Sequence, residues 1–496
     1  MSDYLFMLES HLTPAQREAV TAVEAAAGPE DQVFLVGGAM RDMLGGFPIT
    51  DLDFAVQGNA LELARTVMRN AGAEMIDSDR NRKTAELRFP NGVTAEVGLA
   101  RNELFSGKPG SRPVVKPASI HDDLLRRDFT MNSIALSLHR ASRGLLLDPS
   151  NGLADLEHRE LRANSAYAFY DDPVRLLRFV RFRVRFGFTV HERTQQQYDN
   201  ARAAQVEASI ASRALFAELR AIAGEAHPGE ILTQLDRENL LSLFSPALRG
   251  PKMNLSLFAR LEKARQIVPH GFNLNLDNLG LFLTVLTEKL TPKEKSDLVR
   301  SLDMQAPEIE VWQKLAVRSR GLEKGLTSTK LHRPSEVYRR LREAPGDQIL
   351  YLYLYSKERI VHNRIRNYLQ KYLSTAMELA DRDVVQLTGL ESGDPRFSRF
   401  KQEILEARLD GRKWAPPKDL QPPAAEAAPS ALPTEAPRPA DRAGRRGPRR
   451  VPAARRPVAR PAEQDVTAGR PPANDPPKRP AAAGKDVLKA RRPGSR

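Results

Sequence analysis

Between Val33 and Val56 the chain reads VFLVGGAMRDMLGGFPITDLDFAV, an apolar run, a glycine pair and, a dozen positions on, two aspartates one residue apart. Val33–Val36 predicts a short buried strand. Gly37-Gly38 then lets the backbone turn tightly where no Cβ blocks an approaching phosphate. Leu52–Val56 predicts a second strand. Side chains two apart on a strand share a face, so Asp51 and Asp53 project together while Leu52 and Phe54 turn to the core. Two carboxylates converging beside a glycine turn suit a pair of Mg²⁺ ions shared with a nucleoside triphosphate, because hard cations take oxygen ligands from both. A Gly-Gly alone is an ordinary turn, and an Asp-x-Asp alone is usually a solvated strand end. The apolar frame that joins them carries the signal.

LVGGAMRD followed by DLDFAV resembles the first motif of the class II tRNA nucleotidyltransferase and bacterial poly(A) polymerase family. The resemblance implies nucleotide contacts from Gly37, Gly38, Arg41 and Asp42, with Asp51 and Asp53 as catalytic metal ligands. A third carboxylate belongs on a neighbouring strand. Val93–Leu99 (VTAEVGL) predicts one, and Glu96 is its candidate; EVGLAR matches the family's acidic residue before an Ala-Arg pair. In DLLRRDFTMNSIAL, Asp123–Leu136, planar arginine donors suit phosphate oxygens and the adjacent carboxylate suits a ribose hydroxyl. This segment resembles the family's second motif, which implies that Arg127 contacts the triphosphate and Asp128 favours ribose over deoxyribose. LDPSNGLADL resembles the third motif, with Asp148 and Asp155 as loop-positioning residues. The family's mobile loop, associated with switching from C to A, corresponds to the Gly/Pro-rich stretch 102–117.

YDDPVRLLRFVRFRVRFGF, Tyr170–Phe188, predicts a helix with Asp172 at the N-cap and Pro173 at the first position. At 100° per residue Arg175, Arg178, Arg181 and Arg185 fall within an arc of about 120°. One reading is a capping aspartate with an i,i+3 ion pair on a solvated basic stripe. The other is a protein template. Cytosine and adenine both present an exocyclic amino donor beside a ring-nitrogen acceptor, which a carboxylate and a guanidinium complement. Uracil and guanine reverse that order and leave groups unpaired, at about 1–3 kcal/mol each. DDPVR resembles the family's fourth motif, with Asp171 where glutamate is commoner. The resemblance implies Asp172 and Arg175 as the base-selecting pair and Arg178 and Arg181 as triphosphate contacts. Arg213 and Glu218 resemble a weaker fifth motif.

A chain of 496 residues suggests two to four domains, and it contains no cysteine, which excludes disulfides and thiolate metal sites. No run of about eighteen apolar residues exists and the N-terminus lacks a signal-peptide pattern, so a soluble cytoplasmic protein is expected. The net charge is +14, and residues 417–496 hold 18 Lys+Arg against 8 Asp+Glu. That Pro/Ala/Arg-rich stretch has no periodic apolar face and predicts disorder, either as a solubilising extension or as a gatherer of polyanions.

The expected fold is an α/β nucleotidyltransferase head with a single mixed sheet, then a mostly α-helical body and a disordered basic tail. Residues 1–150 form the head, 151–225 a nucleotide-selecting helical neck, 226–415 a tRNA-binding helical body and 416–496 the extension. Strand patterns stop after Leu153. Helical spacing covers Pro173–Gly187, Ala208–Ala223, Leu255–Ile267, Leu276–Leu290, Pro334–Ala344, Gln348–Leu373 and Asp394–Leu409, the last resembling the module that grips the tRNA elbow. The implied activity is addition of C, A or both to the tRNA 3′ end from CTP and ATP. A poly(A) polymerase, an A-only enzyme and a catalytically silent RNA-binding protein are the alternatives. His121-Asp122, a possible hydrolase doublet, reads as a helix start, and no oligomeric state is legible.

Overall fold

The computed structural model describes residues 3–104, 114–269, 272, 274, 276–417 and 420. The chain divides into two units at Ala424, Met1–Ala424 and Ala425–Arg496. The expected tail disorder falls almost wholly outside the described residues, as does the middle of the 102–117 loop.

Eleven strands are described: β1 (Gln32–Val36), β2 (Leu52–Gln57), β3 (Glu74–Asp79), β4 (Thr84–Arg88), β5 (Thr94–Leu99), β6 (Arg101–Leu104), β7 (Val114–Pro117), β8 (Ala135–Ser137), β9 (Leu146–Leu147), β10 (Glu160–Leu161) and β11 (Thr189–Val190). Seven form one sheet in the order β3-β4-β5-β2-β1-β8-β9. β2 and β5 run parallel and the other neighbours antiparallel, so the sheet is mixed as expected. Two two-stranded sheets, β6-β7 and β10-β11, correct the expectation of a single sheet. β10-β11 also corrects the end of strand structure at Leu153; two-residue strands are too short to leave a period in the sequence.

Alternation along β2 buries Leu52, Phe54 and Val56 while Asp53 stays only partly covered. Helix Ala60–Ala71 adds Leu63, Ala64 and Val67 to the same core, with Asn59 capping its start and Gly72 its end. Behind the sheet an aromatic cluster joins head to neck. The Phe129 ring lies 5.8 Å from Phe182 and 6.3 Å from Phe179, and Phe179 lies 4.6 Å from Tyr198. Helix Gly152–Glu157 abuts this region so closely that a Cβ on Gly152 would sit 2.1 Å from the Thr130 carbonyl oxygen. Asp148 accepts from the Gly152 and Leu153 amides at 2.7 and 2.9 Å, and Asp155 accepts from Thr130 Oγ1 at 2.7 Å. Both aspartates are engaged in holding loops.

The neck helix spans Arg175–Phe186, with Val174 as its cap. Asp172 is therefore not the expected N-cap. It ends the preceding helix Ala168–Asp171, and the Arg175 and Leu176 amides bond to the Asp172 and Pro173 carbonyls in tight turns. The body is helical, including Leu255–Gln266, Asn278–Leu286, Pro334–Arg342 and Phe397–Leu409. The long helix expected at Gln348–Leu373 is broken: Gly346–Tyr355 ends at Ser356, whose extended backbone stops propagation, and Arg359–Asn367 restarts the helix before a π-turn at Tyr368–Tyr372. No helix among the described residues is long and apolar enough to cross a membrane.

Candidate active site

A cavity of about 1000 Å³ opens between the sheet and the neck helix. At one end β1 stops and helix Gly37–Leu44 begins at once, with Gly37 at φ +64°. A Cβ on Gly37 would lie 3.0 Å from Arg127 Nη1 and 3.1 Å from Asp53 Oδ2, so only glycine fits there without displacing them. The Gly38 amide donates to Asp53. The glycine turn and the acid therefore meet.

Asp53 pairs in register with Glu96 across the parallel β2-β5 ladder, and Asp51 precedes β2 on the same cavity wall. Burial, then the charges of Glu96 and Asp51, push the Asp53 carboxyl up to about 7 against the opposing pull of Arg127 and the Gly38 amide. Among the described residues no group of three or more His, Cys, Asp or Glu is placed to hold an ion by itself. Asp51 and Asp53 nevertheless fit a small divalent ion, which typically binds one or two carboxylates and takes its other oxygens from phosphates and water. A bound cation would relieve both the burial of the Asp53 carboxyl and its repulsion by Glu96 and Asp51.

The Arg126-Arg127-Asp128 segment closes the adjoining wall. Asp123, one turn earlier, takes Arg126 Nη2 at 2.6 Å and Arg127 Nη2 at 3.0 Å, and it also accepts from the Arg101 amide at 3.1 Å. Burial raises the Asp123 carboxyl, but Arg127 and Arg126 outweigh it and hold the group below its usual range. His121 and Asp122 sit in helix Ile120–Leu125, whose start Ser119 caps, in agreement with the helix-start reading.

From Asp128 a closed circuit of polar contacts runs around the cavity's deep side. Asp128 Oδ2 accepts from Arg178 (2.7 Å), and Arg178 faces Glu218 (3.6 Å). Glu218 binds Arg181 (2.6 Å), Arg181 binds Glu225 (2.8 Å), and Glu225 faces Arg185 (3.6 Å). Arg185 reaches Asp42 (3.2 Å), Asp42 binds Arg41 (2.8 Å), and Arg41 donates to Asn132 Oδ1 (3.0 Å). Asn132 Nδ2 closes the ring on Asp128 Oδ1 (2.9 Å). Arg181 and Arg41 lie over the Phe182 ring at 4.5 and 5.4 Å. Burial pushes the Asp128 carboxyl up, yet Arg178 and Arg175 hold it well below the ordinary range.

The circuit corrects parts of the expected contact set. Asp42 is 1% exposed and does not line the cavity; it holds Arg41 and Arg185 from behind. Arg181 lines the wall at 8% exposure with both flanking glutamates engaged. Arg213 lies outside, paired with Glu308 at 3.0 Å, whereas Glu218 is inside. Asn132 and Glu225 escape the sequence reading as site residues, because only their distant partners reveal them, while the helical spacing places Arg185 on the basic face without naming its acidic partners.

At the cavity's far end Asp172 Oδ2 lies 3.8 Å from Arg175 Nε, a nitrogen with no hydrogen-bond partner among the described residues. Arg175 Nη2 donates to the Arg126 carbonyl at 2.8 Å. Asp171 lines the cavity beside them.

Residues 33–162 match the model of the poly A polymerase head domain. The chain is similar to that head domain over those residues. It is similar, at 27% identity over 380 residues, to the A-adding tRNA nucleotidyltransferase of Aquifex aeolicus, covering 75% of this chain and 45% of that protein. Identity reaches 34% over 215 residues with the A-adding tRNA nucleotidyltransferase of Halalkalibacterium halodurans (43% of this chain, 50% of that protein). With the CC-adding tRNA nucleotidyltransferase of Deinococcus radiodurans it is 33% over 227 residues (46% and 59%). The chain spans about half the length of these curated relatives. The head match includes the glycine turn, the three acids and the Arg-Arg-Asp segment; Asp172, Arg175 and the neck arginines lie beyond it.

Proposed function

We propose that the chain is a template-independent RNA nucleotidyltransferase that adds C, A or both to the 3′ end of tRNA from CTP and ATP, releasing pyrophosphate. One observation carries the reading: a single cavity gathers Asp51, Asp53 and Glu96, the glycine turn, an arginine wall and the Asp172–Arg175 pair. The names of the relatives, A-adding and CC-adding, support the same chemistry. Such an enzyme would work in the cytoplasm.

In this reading the RNA 3′-hydroxyl attacks the α-phosphate in line with the leaving pyrophosphate. Asp51 and Asp53, with Glu96 beside them, would hold two Mg²⁺ ions, which when bound supply a more acidic hydroxyl and neutralise phosphate charge. Gly37 and Gly38 let the triphosphate come close to the backbone. Arg127 and Arg178 bear on its oxygens, and Arg41 and Arg181 add positive potential from the wall behind. Asp128 holds Arg178 in place and offers its remaining lone pairs to the ribose. Asp172 accepts from the exocyclic amine of C or A while Arg175 donates to the ring nitrogen.

A-adding names among the relatives favour adenylate addition as the narrower version. The test uses tRNAs ending at the discriminator base, at C and at CC, each with a single nucleotide and Mg²⁺. Incorporation by the wild type and its loss in Asp51→Ala are expected. Equal incorporation by both proteins refutes the catalytic assignment, and equal extension of an unstructured RNA makes the protein a poly(A) polymerase instead.

A further inference from the structure

The four-residue helix Ala168–Asp171 and the residue before it divide three aromatic rings between two surroundings. Phe169 is buried, packed edge-on against Phe179 at 5.7 Å and Tyr198 at 5.8 Å. Tyr167 and Tyr170 are 69% and 45% exposed. The Tyr170 amide donates to the Tyr167 carbonyl at 2.9 Å, so the two side chains stand one turn apart on one face. Neither ring has an aromatic partner among the described residues.

Their position gives this exposure a use. Ser165, Asp171 and Asp172 of the same segment line the cavity, as does the exposed side chain of Leu125. Asn164 Nδ2 donates to the Leu124 and Leu125 carbonyls, both at 2.8 Å, and Arg175 Nη2 ties the neck helix to the Arg126 carbonyl. The two tyrosines therefore stand on a braced segment at the cavity rim, beside the pair proposed to select the base.

We propose that Tyr167 and Tyr170 form a stacking platform for an unpaired nucleobase of the RNA 3′ end. The inference rests on the function proposed above. An RNA end whose hydroxyl reaches Asp51 and Asp53 leaves its preceding nucleotides crossing the rim, and the arginines lining the cavity attract their phosphates. Aromatic faces take any base, which suits an end whose identity changes with each addition, and the phenolic hydroxyls stay in water.

The test compares the full-length wild type with Tyr167→Ala/Tyr170→Ala and Tyr167→Phe/Tyr170→Phe. The probes are an RNA hairpin with a short single-stranded 3′ extension carrying 2-aminopurine, and the same hairpin without the extension. The double alanine variant should bind the extended hairpin about tenfold more weakly and lose the 2-aminopurine quenching. Its affinity for the blunt hairpin and for ATP should not change, and the double phenylalanine variant should stay within about twofold of wild type. Wild-type affinity of the alanine variant for the extended hairpin overturns the platform. So does an equal loss on both RNAs, which would make the tyrosines a general contact surface. A wild type that neither binds the extended hairpin nor incorporates nucleotide sinks the enzymatic reading itself, whereas normal incorporation with an indifferent alanine variant sinks only the platform.

Discussion

Burial, and after it the charges of Glu96 and Asp51, push the Asp53 carboxyl up from 3.8 to about 7, with Arg127 as the opposing charge. A carboxyl that binds its proton more tightly in the folded state makes stability fall as pH rises from about 4 to about 7, with no further change above that. Asp53→Asn removes the penalty. In the absence of divalent ions the variant should be more stable than wild type at pH 8 by roughly 3–5 kcal/mol, with the difference gone near pH 4. Thermal melts across pH measure this; a difference independent of pH refutes the strain. The same variant should lose nucleotide addition. At the other end of the cavity, Arg175→Ala should lower discrimination of CTP and ATP against UTP by about 1–3 kcal/mol in kcat/KM, and unchanged preference would remove the template role. Asp51, Asp53, Arg127 and Arg175 are legible because each lies in a short motif whose neighbours name it. Asp42 reads as a nucleotide contact because its motif places it next to Arg41. Its contact with Arg185, 143 residues away, is one that no local pattern reveals.

The neck helix Arg175–Phe186 has the face its spacing predicts, with Arg175, Arg178, Arg181 and Arg185 all turned to the cavity. What the period could not supply is the set of acids that receives them, drawn from helix Gly37–Leu44, the Asp128 segment, and the middle (Glu218) and C-cap (Glu225) of helix Ser212–Gly224. Alternation of charge makes the circuit interdependent. Glu225→Gln leaves Arg181 and Arg185 short of a counter-charge and should cost about 3–5 kcal/mol in urea unfolding. Combining it with Arg181→Met should cost less than the sum of the single changes, by about 0.5–3 kcal/mol. Strict additivity would mean that the glutamate and the arginine act separately. Among the strands, β1 is legible as a short apolar run, and β2 and β5 through alternation. β3 is not, because all but Met75 and Ile76 of its residues are polar and it lies at the sheet edge. Likewise the break at Ser356 escapes a reading by period, since apolar spacing continues on both sides of it.

At the scale of the molecule, charge is divided unequally between the two units. Residues 425–496 carry 17 Lys+Arg and 7 Asp+Glu, a net +10 out of the chain's +14. Within the first unit the cavity arginines face carboxylates, and Arg213 and Arg220 of the neck meet Glu308 of the body. Basic groups paired in this way release few counterions when RNA binds, so the net positive excess of residues 425–496 should contribute most of the salt dependence of RNA affinity. Deleting Ala425–Arg496, which cuts at the boundary between the two units, should leave the melting temperature of the remainder unchanged. Nucleotide addition at saturating RNA should also persist, because every residue of the cavity precedes the cut. The plot of log affinity against log salt should flatten by about one for each phosphate that the shortened chain no longer neutralises. An unaltered slope would show that these residues do not touch RNA and would leave them the solubilising role. A fall in turnover at saturating RNA would instead place part of the catalytic machinery beyond Ala424, contrary to the site described above.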